Sequence, residues 1–157
     1  MVLESERLRL YPISDGAMQA LIAGEQDAEL RQAYTEMLQG CIQDPEHRVW
    51  YAVWNMELKD RPGTVAGDFS FKGLGADGMV EIGYGLRSGF CGQGYMAEAV
   101  RTVTRWALAQ PEVQRVEAET APDNLPSQRL LSACGFVPAG VMGEEGPRFV
   151  LRHTGKG

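Results

Sequence analysis

Two glycines separated by one residue occur in the stretch 89–100, GFCGQGYMAEAV, directly before a segment with helical periodicity. The first backbone N–H groups of a helix have no intrahelical acceptor, and the helix dipole adds positive potential at that end. Glycines at positions 92 and 94 remove the side chains that would hold a phosphate away from these groups. The pattern indicates a phosphate-binding helix N-terminus, and a plain structural turn is the alternative.

The same residues, Gly92-x-Gly94-x-x-Ala97, also fit the dinucleotide-binding fingerprint, with Glu117 at a suitable distance beyond them. In that fingerprint the first glycine follows its strand almost at once, whereas residues 87–91 intervene here. Too few residues follow position 97 to build the parallel sheet that such a site needs. Both observations argue against a dinucleotide site.

Cysteine chemistry is a weaker possibility in this chain. Cys91 precedes the helix, where the N-terminal potential lowers a thiol pKa, but no histidine lies nearby in sequence to activate it as a nucleophile. Cys41 and Cys134 are far from it, and the chain contains two histidines. We therefore expect neither a metal site nor a disulfide framework.

Strand-like and helix-like patterns alternate around the glycine loop. A strand is predicted at 7–13, helices from Ser14 and over 27–42, three strands at 48–58, 64–71 and 79–86, a helix after Gly94, a strand at 114–120, a helix at 125–134 and two closing strands at 136–142 and 148–153. Turn-forming segments between the three middle strands favour an antiparallel meander. The predicted fold is α/β of the α+β type, with a largely antiparallel sheet of about seven strands and about four helices.

Composition restricts the class of partner. The formal net charge is −6 and no basic run occurs, so nucleic acid is not an expected partner, and an acidic surface favours cationic substrates. The first residues, MVLESERLRLYP, lack the apolar run of a signal peptide, and no stretch could span a membrane. We expect a cytoplasmic protein with a single domain over residues 1–157.

Three segments resemble the GNAT superfamily of acyl-CoA N-acetyltransferases, and in particular its RimJ/RimL-like branch. The loop matches the family form Q/R-x-x-G-x-G/A at Gly92 and Gly94 and departs from it at Gly89. SERLRLYPIS resembles the opening strand of that branch, and DNLPSQRLLSACGF resembles its N-x-x-S…GF element. The segments follow the family's order and span nearly the whole chain.

This resemblance implies acetyl-CoA as co-substrate, no metal, and direct attack of an amine on the thioester. Acetyl-CoA would lie where the strand ending at Leu86 splays from the strand ending near Thr120, and a backbone N–H there would stabilise the oxyanion. The candidate cofactor-binding residues are Gly85, Leu86, Arg87, Cys91, Gly92, Gln93, Gly94, Tyr95, Met96, Asn124, Ser127 and Arg129.

Candidate catalytic residues follow from the same resemblance. Asn124 would hold the pantetheine arm, and Ser127 would donate a hydrogen bond to the departing thiolate, although both residues are also favoured helix caps. Many family members carry a tyrosine acid where this chain has Leu131.

A base is needed because neutralising a lysine-like amine at pH 7 costs about 4.6 kcal/mol, and an α-amine about 1.4. Glu81 is the candidate base, with a strand carboxylate paired with Lys or Arg as the equal alternative. Asp68 is a second candidate.

The sequence thus predicts an N-acetyltransferase acting on a protein N-terminal α-amine or a small-molecule amine, with a CoA-binding regulatory module as the alternative. The aromatic cluster Trp50, Tyr51 and Trp54 fits sheet core, and Tyr34 and Met37 could wall the acceptor pocket. A homodimer is possible.

Overall fold

The computed structural model describes residues 1–153, which build one sheet of eight strands. The strands are β1 (Leu3–Glu4), β2 (Leu8–Pro12), β3 (Val53–Leu58), β4 (Val65–Leu74), β5 (Met79–Leu86), β6 (Arg115–Glu119), β7 (Val137–Met142) and β8 (Pro147–Arg152). The helices are α1 (Asp15–Gly24), α2 (Ala28–Gln43), α3 (Tyr95–Leu108) and α4 (Leu125–Ala133), with a 3₁₀ helix at Pro45–Trp50.

The strands are arranged in the order β1-β2-β3-β4-β5-β6-β8-β7, and every neighbouring pair is antiparallel except β5 with β6. This arrangement confirms the predicted mixed, largely antiparallel sheet flanked by four helices. The eighth strand is the two-residue β1, which is too short to leave a periodic pattern in the sequence.

The prediction of a strand over the whole of 48–58 is wrong in its first part. Pro45 begins a 3₁₀ helix that ends at Trp50, and the strand starts only at Val53. The indole of Trp50 packs edge-on against Phe71 at 4.9 Å between ring centroids. Its apolar character therefore reflects burial in the core and not a place in the strand.

The core lies on both faces of the sheet. Neighbouring residues Val53 and Trp54 belong to two different buried clusters, as expected for successive side chains of one strand. The larger cluster packs β2–β6 and β8 against α3, and the smaller one packs α1 and α2 through Met18 and Cys41. None of the helices described within residues 1–153 is long and apolar enough to cross a bilayer.

β5 and β6 pair over only three residues each. Met79–Glu81 lies beside Arg115–Glu117, and β5 then continues to Leu86 while remaining paired with β4 on its other edge. From Ile82 onward, one edge of β5 therefore has no strand beside it within the described part of the chain. The predicted gap between these two strands is present.

Candidate functional site

Two cavities meet at residues 82–86 of β5, called the open half because no strand lies along one of its edges within the described residues. The larger one, about 990 Å³, occupies the gap and is lined by β5, the glycine loop, the residues after β6 and the first turns of α4. The smaller one, about 720 Å³, lies between α2 and strands β4 and β5. Lys72, Gly83, Tyr84 and Gly85 line both cavities. A Cβ added at Gly85 would meet no heavy atom within 4 Å, so the backbone of β5 is open to a ligand at this point.

The glycine loop forms the predicted helix mouth. Gly92 and Gly94 have φ of 78° and 82°, a left-handed conformation that strains other residues. Gly94 is the N-cap of α3 and supplies no side-chain cap. The first intrahelical bond is donated by the N–H of Glu98 to the carbonyl of Gly94, so the N–H groups of residues 95–97 precede it. Gly92, Gly94 and Met96 line the larger cavity, where this mouth suits an anion.

Arg7 holds this loop in place, which the sequence did not reveal. Its Nη1 donates to the carbonyl of Gln93 at 2.9 Å, its Nε donates to Glu98 Oε1 at 2.7 Å, and its guanidinium carbon lies 4.4 Å from the centre of the Tyr95 ring. Burial raises the pKa of Glu98, but hydrogen bonds from Ser5 and Arg7 outweigh it and hold that pKa below its ordinary value. The helix mouth is thereby attached to the start of β2.

Asn124 and Ser127 lie at the opposite wall of the larger cavity. Asn124 is the N-cap of α4, and its Oδ1 accepts from the backbone N–H of Ser127 at 3.2 Å. The Ser127 hydroxyl lies 2.6 Å from the Tyr84 hydroxyl of β5, so the two groups form a hydrogen bond across the gap. Burial raises the pKa of Tyr84, and this hydrogen bond partly offsets the rise.

A family model described as "Acetyltransferase (GNAT) domain" matches residues 7–137, which is most of the chain. This chain belongs to the GNAT acetyltransferase family.

Individual relatives of this GNAT chain agree with the family model. It is 33% identical over 84 residues to the uncharacterised N-acetyltransferase YjdG of Bacillus subtilis, covering 54% of this chain and 50% of that one. The matched region thus spans about half the length of that curated relative. The fold matches RimL, a ribosomal L7/L12 α-N-protein acetyltransferase solved with coenzyme A, with TM-score 0.74, 17% identity and coverage of 97% and 98%. It also matches the microcin C7 self-immunity acetyltransferase MccE, solved with acetyl-CoA and AMP, with TM-score 0.69, 15% identity and coverage of 95% and 94%.

The predicted cofactor-binding residues of this GNAT chain divide into two groups. Those that line the larger cavity are Gly85, Leu86, Cys91, Gly92, Gly94, Met96, Asn124 and Ser127. Those that do not are Arg87, Gln93, Tyr95 and Arg129. The backbone N–H of Arg87 donates to the carbonyl of Ala66 in β4 at 2.8 Å, so this N–H is not available to a ligand in the gap. Tyr95 is buried beneath Arg7, and Arg129 is exposed on α4.

Glu81 lies outside both cavities, in the paired half of β5. Its carboxylate accepts from Lys72 Nζ at 3.1 Å and from Arg148 Nη2 at 3.2 Å. Its register neighbour is Glu117, and the Arg148 guanidinium contacts both carboxylates and that of Glu119. Glu81 thus has the arrangement that the sequence analysis gave as the alternative to a catalytic base, a strand carboxylate paired with Lys and Arg.

Asp68 lines the smaller cavity and is paired in register with Gly85. Its side chain is half-buried, and burial raises the pKa of its carboxyl, with a smaller opposing effect from the charge of Arg87. Burial and the negative charge of Asp68 raise the pKa of Tyr34 on α2, which lines the same cavity. A half-buried carboxylate therefore lines the smaller cavity beside the open half of β5.

Proposed function

We propose that the protein is an acetyl-CoA-dependent N-acetyltransferase that transfers the acetyl group directly to a primary amine. Acetyl-CoA binds in the larger cavity and the amine approaches through the smaller one. The observation that carries this function is the junction of the two cavities at Gly83–Gly85, where glycines leave the unpaired edge of β5 accessible from both sides.

Each part of acetyl-CoA has a matching surface in the larger cavity. The pyrophosphate binds the N–H groups at the mouth of α3, where the helix dipole favours an anion. The pantetheine arm lies along the unpaired edge of β5 and forms hydrogen bonds with its backbone, replacing the missing strand. Support also comes from RimL and MccE, which share this fold and were solved with coenzyme A and acetyl-CoA.

The reaction needs a base for the amine and a donor for the thiolate. Asp68 faces the acceptor cavity and takes the proton that the nitrogen loses as the N–C bond forms. Its raised pKa makes it a better base than an ordinary aspartate. A backbone N–H of β5 stabilises the oxyanion. As the C–S bond breaks, its electron pair goes to sulfur, and the Ser127 hydroxyl donates a hydrogen bond to the thiolate.

The acceptor is an amine with an apolar substituent. The α2 side of the smaller cavity presents the apolar side chains of Leu30, Ala33 and Met37 beside Tyr34 and Glu36, and Asp68 and Lys72 lie at the β4 side. An ammonium group would be attracted by Asp68 and would lose one proton to water before it attacks, while its apolar substituent contacts α2. The second proton is the one that Asp68 takes as the N–C bond forms. Protein N-terminal α-amines and small apolar amines both satisfy this description.

Thiol release from acetyl-CoA, measured with a panel of amines, tests this function. We expect turnover that is greatest with apolar primary amines. Ser127→Ala should lower kcat and preserve acetyl-CoA affinity, and Ser132→Ala, the same change at an exposed site of α4, should leave both unchanged. Acetyl-CoA binding without turnover for any amine would instead indicate a CoA-binding regulatory module.

A further inference from the structure

The hydrogen bond between Tyr84 and Ser127 joins two elements on opposite sides of the cofactor gap. Tyr84 belongs to β5 and Ser127 to the first turn of α4, and their hydroxyl oxygens are 2.6 Å apart. Resting on the function proposed above, we propose that Tyr84 is a positioning residue, whose hydroxyl orients that of Ser127 toward the sulfur of coenzyme A.

The number of hydrogen bonds that a serine hydroxyl can donate and accept explains why the orientation of the Ser127 hydroxyl matters. A serine hydroxyl has one proton and can accept two hydrogen bonds. When Tyr84 donates to Ser127 Oγ, the Ser127 proton is left for another acceptor, and the gap in front of it is where the sulfur must lie. Without that partner the Ser127 hydroxyl would rotate among water and backbone acceptors at the helix start. A hydroxyl that itself receives a hydrogen bond is also a stronger donor.

Tyr84 can perform this task because its own position and protonation are fixed. It is paired in register with Phe69 of β4, and its ring packs partly buried against the larger core cluster. A phenol with the ordinary pKa of about 10 is already protonated at neutral pH and is therefore a donor, and burial raises the pKa of this one further. One turn beyond Ser127, the fully buried Leu131 has no polar side-chain atom. The hydroxyl that contacts Ser127 belongs instead to Tyr84 of β5.

The proposed role requires no proton from Tyr84. The amine proton goes to Asp68, and the C–S electron pair goes to sulfur. Tyr84 donates a hydrogen bond to Ser127, and Ser127 donates one to the thiolate. Loss of Tyr84 should accordingly weaken the stabilisation of the thiolate without abolishing the reaction.

Tyr84→Phe removes the hydroxyl and keeps the ring. We expect kcat to fall about 10-fold, the effect of one net hydrogen bond, with the KM for acetyl-CoA unchanged. Tyr11→Phe is the matched control, because Tyr11 donates a comparable hydrogen bond to Glu57 at 2.8 Å between β2 and β3, far from the gap. In the Ser127→Ala background Tyr84→Phe should add no further loss. Full activity of Tyr84→Phe, or an undiminished loss in that background, would overturn the role.

A second measurement does not depend on turnover. The thiolate absorbance of bound coenzyme A can be followed in the ultraviolet near the ordinary thiol pKa of about 8.5. The wild-type protein should hold several-fold more thiolate than either Tyr84→Phe or Ser127→Ala, and Tyr11→Phe should match the wild type. Equal thiolate fractions in wild type and Tyr84→Phe would overturn the role. A thiolate difference in a protein that turns over no amine would support the Tyr84 role and contradict the proposed enzymatic function.

Discussion

The two halves of β5 differ in what lies beside them. In the first half, Met79–Glu81 pairs with β6, and the neighbouring carboxylates of Glu81 and Glu117 are held by Arg148. In the second half no strand within residues 1–153 occupies that edge, and glycines alternate with Tyr84. In the first half charge pairs link four strands, β4, β5, β6 and β8, and the second half presents the unpaired edge of its backbone to two cavities.

This difference separates the carboxylates that stabilise the sheet from the carboxylate that we propose as the base. Two like charges directly side by side destabilise a sheet unless a cation lies between them, so Glu81, Glu117 and Arg148 form one unit. A carboxylate engaged in such a unit is a poor base. Asp68 lies opposite Gly85, in the second half, and the raised pKa of its carboxyl keeps it suited to accept a proton.

The largest expected effect compares the two carboxylates as bases. Asp68→Asn should lower kcat by about 10²–10⁴-fold, the contribution of a general base, and Glu81→Gln should leave kcat nearly unchanged. Thiol release with saturating acetyl-CoA and an amine measures both. A large loss in Glu81→Gln with an active Asp68→Asn would reverse the assignment.

The next effect concerns the helix mouth at the end of the open half. Gly94→Val forces a branched residue into a left-handed conformation, at about 1–2 kcal/mol, and places its Cβ 3.4 Å from Arg7 Nη2. We expect acetyl-CoA affinity to fall about 10-fold or more, since 1.4 kcal/mol corresponds to a factor of ten.

Gly24→Val is the matched control for this change. Gly24 ends α1, has no positive φ and would place its Cβ in free space, so affinity should be preserved. Calorimetric titration compares the two variants, and equal affinities would show that the loop does not hold the cofactor.

A third effect tests the paired half through stability. Arg148→Met leaves three glutamates without their shared cation, and we expect a loss of about 3 kcal/mol in the free energy of unfolding. Arg152→Met, at an exposed position of the same strand, is the control. Urea unfolding measures both, and a loss no larger than the control's would show that the charge unit is dispensable.

This loss should depend on pH in a defined direction. The pKa values of Glu117 and Glu119 are lowered in the folded protein, because hydrogen bonds from arginine side chains and from the Glu145 N–H outweigh burial. The stability they contribute is present above the ordinary glutamate pKa, about 4.3, and is lost as pH falls through their folded values. The difference between wild type and Arg148→Met should therefore shrink in acid.

The smallest expected effect is on stability and concerns Asp68, whose pKa is shifted by folding in the opposite direction to those of Glu117 and Glu119. Its pKa is raised on folding, so the folded state binds this proton more tightly and stability falls as pH rises from the unfolded pKa through the folded one. Asp68→Asn should be slightly more stable than wild type at pH 7 and equal to it below about pH 3.9. Thermal unfolding at both pH values checks this. A variant less stable at pH 7 would show that the Asp68 charge supports the fold.

Local signals predicted much of this molecule, and long-range contacts account for what they missed. The glycine loop, its helix and the N-cap Asn124 are contained in short stretches of sequence, and the structure forms them as expected. The partner Arg148 lies 67 residues from Glu81, and Arg7 lies 86 residues from Gln93, so neither contact leaves a local pattern. The Tyr84–Ser127 hydrogen bond spans 43 residues and depends on the splay of β5 from β6.

Calorimetric titration of the wild-type protein with acetyl-CoA, with NADH as the control ligand, tests most directly whether the open half of β5 is a coenzyme A site. We predict micromolar binding of acetyl-CoA and none of NADH. A folded protein that does not bind acetyl-CoA, or that binds NADH equally well, would contradict this assignment of the gap.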